Sequence, residues 1–305
     1  MQRWLRQGLS RRALRWVRVA LGLSILVAVI VWISREGTFL KRLSLEVFLW
    51  SGFASLVTAM LHALTLGLIS RIHGRTLDYR QALRITALGS LGNAAGGIPL
   101  GTAVKFGILH QRVGLSLGQI TFGLATVSFG ISLWLLLYCA TSALWLDLSG
   151  WFQTSLIAVL GAALLATAMA SRFLRHGRLS ALATPYLKVE RVIQVAGLSF
   201  LVATSFVLNF CAVGMLLLPD PTIPELVFVC ASGTLLGLVT LLQSIAGTNE
   251  LAMALMAHAV GIKAADGAQI ALTLRATALA TSAIILGLHS LWALRENHAR
   301  PGTRT

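Results

Sequence analysis

Six apolar stretches dominate the sequence, and each approaches or exceeds the roughly 20 residues of helix that cross a lipid bilayer. They cover residues 17–34, 45–70, 117–145, 152–171, 192–218 and 267–294. Charged residues make up only 11% of the chain, against about 25% in soluble domains, and they cluster between the apolar stretches. The sequence therefore predicts an all-α polytopic membrane protein with about six full spans.

Two further apolar regions, 82–111 and 224–263, are each interrupted by a glycine-rich polar turn. The second half of each region is only about one-third to two-thirds of a span in length. Backbone can leave the helix at membrane depth only where protein or a wet cavity satisfies its polar groups. We therefore predict two re-entrant helical hairpins. The alternative is a pair of full but kinked spans, and it competes most strongly for 224–263, whose first half is about 20 residues long.

The basic residues indicate how the chain is oriented. There are 25 Lys and Arg against 10 Asp and Glu, which gives a net charge of +15. With the N-terminus inside, 19 of the 25 fall in cytoplasmic segments and four in outside segments, as the positive-inside rule expects. Topology therefore explains the charge, with attraction to anionic lipid as an additional use, and we expect no nucleic-acid partner.

The element order of the first half returns upside down in the second half. An offset of 147 residues pairs Gly67 with Gly214, Asp78 with Glu225, and Val-Gly at 113–114 with Val-Gly at 260–261. Inverted repeats with broken helices are a recurring transporter architecture. We predict a basic cytoplasmic segment (1–16), one transmembrane domain (17–294) with inverted repeats at approximately 17–146 and 152–294, and a cytoplasmic tail (295–305).

Glu250 is the most informative single residue, because it begins a short helix after a Gly-Thr-Asn turn. Its carboxylate can interact favourably with the helix dipole there, and Thr248 or Asn249 can cap the helix. A carboxylate at membrane depth is costly, however, and by default it indicates a functional site with a partner. The predicted partner is Arg275, the only arginine within a predicted full span apart from Arg18 at the edge of the first. The pair either lines a cavity or joins hairpin to helix as a structural contact.

Lys105 is the cation of the first hairpin, and Asn93 precedes it in the turn. A lysine near a helix end can snorkel to water. In a re-entrant hairpin it would instead face the cavity and contact a lipid phosphate. Four single polar residues on apolar faces fit interhelical hydrogen bonding: His62, Asn209, Gln243 and His258.

The sequence disfavours catalysis. No group of His, Asp and Glu has metal-ligand spacing, no nucleophile stands by a plausible base, and no phosphate-binding loop is present. Acid–base chemistry by paired carboxylates lacks a second buried acid. We therefore expect a protein that is not an enzyme, without catalytic residues, metal or cofactor.

Three segments carry a family resemblance: LGNAAGGIPLGTAVKFGILHQRVGLSLGQ, GTNELAMALMAHAVGI and ALTLRATALA. They resemble the lysylphosphatidylglycerol synthase transmembrane-region family, a flippase-like membrane domain of bacteria. The matching positions are Gly101, Lys105 and GLSLG at 114–118, and then Gly247, Glu250 and Arg275. The resemblance covers roughly residues 15–295. It implies movement of a lipid, or of a lipid-linked headgroup, between the leaflets of the bacterial inner membrane.

The chain departs from the family pattern at four places. Thr102 stands where the family usually has Glu, and Lys105 where it has Arg. The second turn reads QSIAG rather than a Pro-Gly-Gly run, and ATVSFG replaces an acid–Arg pair. No aminoacyl-transferase domain follows before Thr305, so we expect a stand-alone member that does not make lysylphosphatidylglycerol.

The sequence thus predicts a lipid transporter or flippase with both termini in the cytoplasm. Its expected binding residues are Asn93, Lys105, Asn249, Glu250 and Arg275. The expected ligand is a membrane lipid whose anionic headgroup is attracted by Lys105. The alternative is a non-catalytic accessory subunit whose partner is a lipid-modifying or glycosyl-transferring membrane enzyme.

Overall fold

The computed structural model describes residues 44–96, 100–146, 180–239 and 248–299, and every regular element in these ranges is a helix. In chain order the helices are α1 (Leu45–Ile72), α2 (Tyr79–Gly96), α3 (Leu100–Ile108, continued by a π-helical turn, Leu109–Val113), α4 (Leu117–Ala143), α5 (Ser180–Ala183, followed by a 3-10 turn, Thr184–Tyr186), α6 (Val189–Leu217), α7 (Ile223–Val239), α8 (Thr248–Ala259) and α9 (Ala264–Ala299). The predicted all-α class is confirmed.

Four of these helices are long and apolar enough to cross a membrane: α1, α4, α6 and the Ala264–Trp292 part of α9. They match four of the predicted spans to within a few residues. The chain is therefore an integral membrane protein of α-helices. The other two predicted spans, at 17–34 and 152–171, lie outside the described residues, as does the predicted basic segment at 1–16.

Each of the two interrupted regions contains a longer helix packed against a short one. α2 packs against α3, and α7 packs against α8. α3 has nine residues and α8 has twelve. At about 1.5 Å per residue neither reaches across a hydrocarbon core of about 30 Å. The predicted order of a longer helix and then a short one is confirmed in both regions, while the turn residues 97–99 and 240–247 lie outside the described residues.

Both short helices lead into the same kind of turn. Gly114 has a φ of 73° and Gly261 a φ of 82°, a left-handed conformation that glycine adopts without steric cost. The two glycines are 147 residues apart. Three residues later the next long helix begins, α4 at Leu117 and α9 at Ala264, again 147 residues apart.

α1 and α6 pack side by side and run antiparallel. As the residue number rises on α1, it falls on α6. Hydrogen bonds join Ser55 to Asn209 and Thr58 to Ser205, and further along, Arg71 and Gln194 line the same cleft. The directions of α1 and α6 determine those of the other two spans, because α9 packs against α1 and α4 packs against α6.

That further span runs parallel to its neighbour in both cases. On α4 and α6 the facing pairs are Val127 with Ser199, Trp134 with Phe200 and Tyr138 with Thr204. On α1 and α9 they are Ser51 with Thr277 and Gly52 with Thr281. Because α1 and α6 are antiparallel, α4 and α9 also run in opposite directions.

Small residues allow the closest helix contacts, which matters because lipid gives helices little hydrophobic reason to associate. A Cβ added at Gly267 on α9 would lie 2.5 Å from the Ala257 Cβ and 2.8 Å from the Met253 carbonyl oxygen on α8. The side chains of Met253 and Ala257 are themselves buried in the core, together with Phe210, Phe228 and Ile270. The α8–α9 interface therefore depends on the absence of a side chain at position 267.

We expect Gly267→Ala to destabilise the protein by about 1–3 kcal/mol, because the added methyl group meets backbone that cannot move aside cheaply. Gly287→Ala is the matched control on the same helix, since a Cβ there meets nothing within 4 Å. It should be neutral or stabilising by up to about 1 kcal/mol. Thermal unfolding in detergent measures both. Equal midpoints for the two variants would contradict the close α8–α9 contact.

Candidate functional site

Glu250 and Arg275 form a buried ion pair between the short helix α8 and the span α9. The Glu250 Oε1 lies 3.0 Å from the Arg275 Nη1. The Glu250 side chain is 0% exposed and that of Arg275 is 25% exposed. The ion pair predicted from the sequence is therefore present.

The position of Glu250 in α8 explains part of its stability. Glu250 lies in the first turn of the helix, where the partial positive charge of the N-terminus favours a carboxylate. The sequence suggested Thr248 or Asn249 as the cap before this helix. The structure describes α8 from Thr248 onward, with Thr248 and Asn249 each half-buried; the residue before Thr248 lies outside the described residues, so the cap stays a prediction. Asn249 stays next to the ion pair along the chain.

The carboxylate of Glu250 retains unused acceptor capacity. Neither of its oxygens receives a hydrogen bond from any residue in the described ranges. The 3.0 Å contact with Arg275 is thus an ion pair without the N–H alignment of a hydrogen bond. A guanidinium has five N–H donors, so Arg275 also keeps donors for another acceptor. The pair can therefore accept a further polar group without first breaking a hydrogen-bonded network.

Lys105 lies on α3 with its stem against α2. A Cβ added at Gly89 on α2 would lie 3.1 Å from both the Cγ and the Cδ of Lys105. The ammonium group is close enough to His62 on α1 to act on it electrostatically. The Lys105 side chain is half-buried.

Asn93 lies within α2, one turn before the helix ends at Gly96, and its side chain is exposed. The sequence placed it in the turn, and the structure corrects that placement. The helix continues because Ala-Ala follows Asn93, and alanine has the highest helix propensity. A Cβ added at Gly101 would lie 2.7 Å from the Asn93 Cγ, so Asn93 faces the start of α3.

The five predicted binding residues thus form two groups: Asn93 and Lys105 in one, and Asn249, Glu250 and Arg275 in the other. Within the part of the chain that the structure describes, no hydrogen bond or ion pair joins the groups. The same residues include no cluster of three His, Cys, Asp or Glu side chains placed to hold a metal.

A buried polar face on α1 extends between the levels of the two groups. It consists of the buried residues Ser51, Ser55, Thr58 and Thr65 and the half-buried His62. Ser51 shares a 2.6 Å hydrogen bond with Thr277, two residues from Arg275 along α9, and the charge of Lys105 acts electrostatically on His62. The sequence interpretation treated His62 as an isolated helix contact. The alternating spacing of four and three residues, which places these polar side chains on one helix face, was the available signal.

Comparison of the chain with models of protein families, with curated proteins and with solved structures finds no match. The resemblance to the lysylphosphatidylglycerol synthase transmembrane-region family therefore stays a prediction. The function has to be argued from the geometry of the chain itself.

Removing either partner of the ion pair should destabilise the protein, by unequal amounts. Arg275→Gln leaves a fully buried carboxylate unpaired and should cost about 3–5 kcal/mol. Glu250→Gln leaves a guanidinium that is 25% exposed and should cost less. The double variant should be more stable than Arg275→Gln alone, because it removes the unpaired charge.

Thermal unfolding in detergent measures this cycle. Glu46→Gln, which neutralises an exposed carboxylate in the first turn of α1, is the matched control and should be near wild type. Equal losses in the two single variants that add in the double variant would contradict a coupled buried pair.

Proposed function

We propose that this protein moves an anionic lipid between the leaflets of the bacterial inner membrane, by alternating access between two inverted halves, with both termini in the cytoplasm. The Glu250–Arg275 pair carries the proposal, because it joins a short, broken-helix segment to a full span. Ionisable residues at membrane depth line transport routes more often than they serve packing alone.

Several equivalences support the inverted halves. The offset of 147 residues relates the left-handed glycines, 114 with 261, and the starts of α4 and α9. It also relates α1 to α6, and these helices are antiparallel. A two-fold axis that lies in the membrane plane would require that relation.

The contact between Thr58 and Ser205 supports the position of that axis. The Thr58 hydroxyl donates to the Ser205 Oγ over 3.1 Å. The two residues are 147 positions apart, so each is the equivalent of the other. Equivalent residues touch each other only where a two-fold axis passes between them, which makes this contact the natural centre of the proposed repeat.

The helix packing supports the same relation. α2 packs on α1 and α9, and α7 packs on the equivalent helices α6 and α4. α8 packs closely on α9, whereas α3 has no comparable packing against α4. Alternating access by inverted repeats requires such a difference, since the two halves exchange conformations between states. In this proposal the first hairpin is the open one and the second the closed one.

The charged groups then have distinct roles. Lys105 attracts the anionic headgroup through the first hairpin, with Asn93 beside it. Arg275 offers its remaining donors to a phosphate, and Glu250 competes for the same guanidinium. The exchange of a carboxylate for a phosphate at Arg275 provides a switch between the loaded and the empty site, because both anions bind a guanidinium with similar geometry. Asn249 supplies an amide at the same helix end.

We expect purified wild-type protein in liposomes to move a fluorescent anionic lipid between leaflets. Glu250→Gln and Arg275→Gln should each reduce the rate at least about tenfold, because each removes one side of the exchange. Glu46→Gln should leave the rate unchanged, since this carboxylate is exposed and the Arg275 guanidinium pairs with Glu250 instead. Variants are compared only after size-exclusion and thermal unfolding show folded protein.

Zwitterionic and cationic lipids in parallel liposomes report the headgroup preference. Equal movement by wild type and both ion-pair variants would contradict the proposed role of the pair. A wild-type protein that moves no lipid, but co-purifies with a lipid-modifying or glycosyl-transferring enzyme, would favour the accessory-subunit alternative.

A further inference from the structure

A cleft of about 500 Å³ lies between α1 and α6, near the C-terminal end of α1 and the N-terminal end of α6. Its walls are apolar and include Leu64, Leu68, Leu198 and Leu201. Leu64 and Leu201 are about half exposed, so the cleft opens sideways along the two spans. Its mouth is polar and includes Arg71 and Tyr79.

Gly67 forms the floor of the cleft, and the space above it is open. A Cβ added at Gly67 would meet nothing within 4 Å. The equivalent glycine on α6 is Gly214, where an added Cβ would lie 2.6 Å from the Leu226 Cδ2. Leu226 is itself 147 residues after Tyr79. Leu226 therefore fills the space beside Gly214, whereas its equivalent, Tyr79, leaves the space beside Gly67 open.

The mouth of the cleft offers donors suited to a phosphate. Arg71 lies exposed in the last turn of α1, and no carboxylate among the described residues forms an ion pair with it. The Tyr79 phenol has an ordinary pKa of about 10, which burial raises further, and it is therefore a hydrogen-bond donor at neutral pH. Two carboxylates on neighbouring positions have partners of their own: Glu190 accepts a 3.0 Å hydrogen bond from the amide of Gln194, and Asp78 accepts one of 3.1 Å from the backbone N–H of Arg80. A guanidinium and a phenol at one edge match a phosphate, and guanidinium groups bind phosphates in two-point geometry.

The apolar and polar parts together select an amphiphile. The walls belong to two membrane-spanning helices, and the polar mouth lies where both helices end. Headgroups lie at such helix ends, and acyl chains lie along the spans. A free phosphate ion would leave the apolar trough unfilled, and an apolar ligand would leave Arg71 without an anion.

We propose that this cleft binds one anionic phospholipid, with an acyl chain over Gly67 and the phosphate at Arg71 and Tyr79. Binding stands on the cleft alone. The place of the cleft in a transport route rests on the proposed function, in which the open space at Gly67 and the closed space at Gly214 belong to one state of alternating access.

Native mass spectrometry of the detergent-purified protein tests the site with phosphatidylglycerol and phosphatidylcholine of identical chains. Gly67→Phe places an aromatic ring in the cleft, with a Cβ that meets nothing within 4 Å, and should lower the affinity for both lipids at least about tenfold. Gly287→Phe, on α9, is the control, because it also enters open space but does not line the cleft. It should bind as wild type does.

Arg71→Gln should weaken phosphatidylglycerol binding about tenfold and abolish the preference over phosphatidylcholine. Excess inorganic phosphate should leave the bound lipid in place, because it fills only the mouth. Wild-type affinity in Gly67→Phe, or an unchanged preference in Arg71→Gln, would overturn the proposal. Displacement by phosphate alone would also overturn it, since the site would then be an ion site.

Lipid movement by the same variants separates this inference from the proposed function. If Gly67→Phe loses both lipid binding and lipid movement, the result supports the lipid site and its place in the transport route. Lost binding with unchanged movement keeps the lipid site and contradicts its place in the route. Tight binding by a wild-type protein that moves no lipid keeps the site and contradicts the transport proposal alone.

Discussion

The polar contact between α1 and α6 at Thr58 and Ser205 is the interaction on which the rest of the bundle depends. Lipid is as apolar as a leucine side chain, so helices in a bilayer associate through close packing and hydrogen bonds. α1 brings a buried polar face to this task, and it meets hydroxyl and amide groups on α6 and α9. Antiparallel packing of α1 and α6 then fixes the opposite directions of α4 and α9. The two opposed halves of the proposed repeat rest on that one crossing.

The two halves of the proposed repeat differ in their charged residues. The positions equivalent to Glu250 and Arg275 are Ala103 and Ser128, and the position equivalent to Lys105 is Ala252. The halves of the proposed repeat would thus share a backbone plan, while each has its own charges. An ion pair closes the second hairpin onto its span, and a single cation marks the first. Equal halves would give no direction to a conformational change, whereas unequal charges give each state its own ligand contacts.

The sequence predicted most of the described fold, because the length and hydropathy of a segment determine whether it can span a bilayer. The four spans among the described residues were each predicted to within a few residues of their observed bounds. It also predicted the pairing of Glu250 with Arg275, since neither charge is tolerated alone at membrane depth. It misplaced Asn93, because a run rich in Asn and Gly resembles a turn although the helix continues through it. The open cleft at Gly67 was beyond prediction, because it depends on how neighbouring side chains pack.

The inverted arrangement is the central claim, and labelling of its two equivalent turns tests it most directly. Single cysteines replace the exposed residues Arg112 and Lys263, beside Gly114 and Gly261, in a protein whose three native cysteines are changed to alanine. A membrane-impermeant maleimide is applied to cells whose inner membrane is intact but accessible from outside. We expect Lys263→Cys to be labelled at once and Arg112→Cys only after the membrane is permeabilised. Labelling of both cysteines from the same side would contradict the inverted repeat.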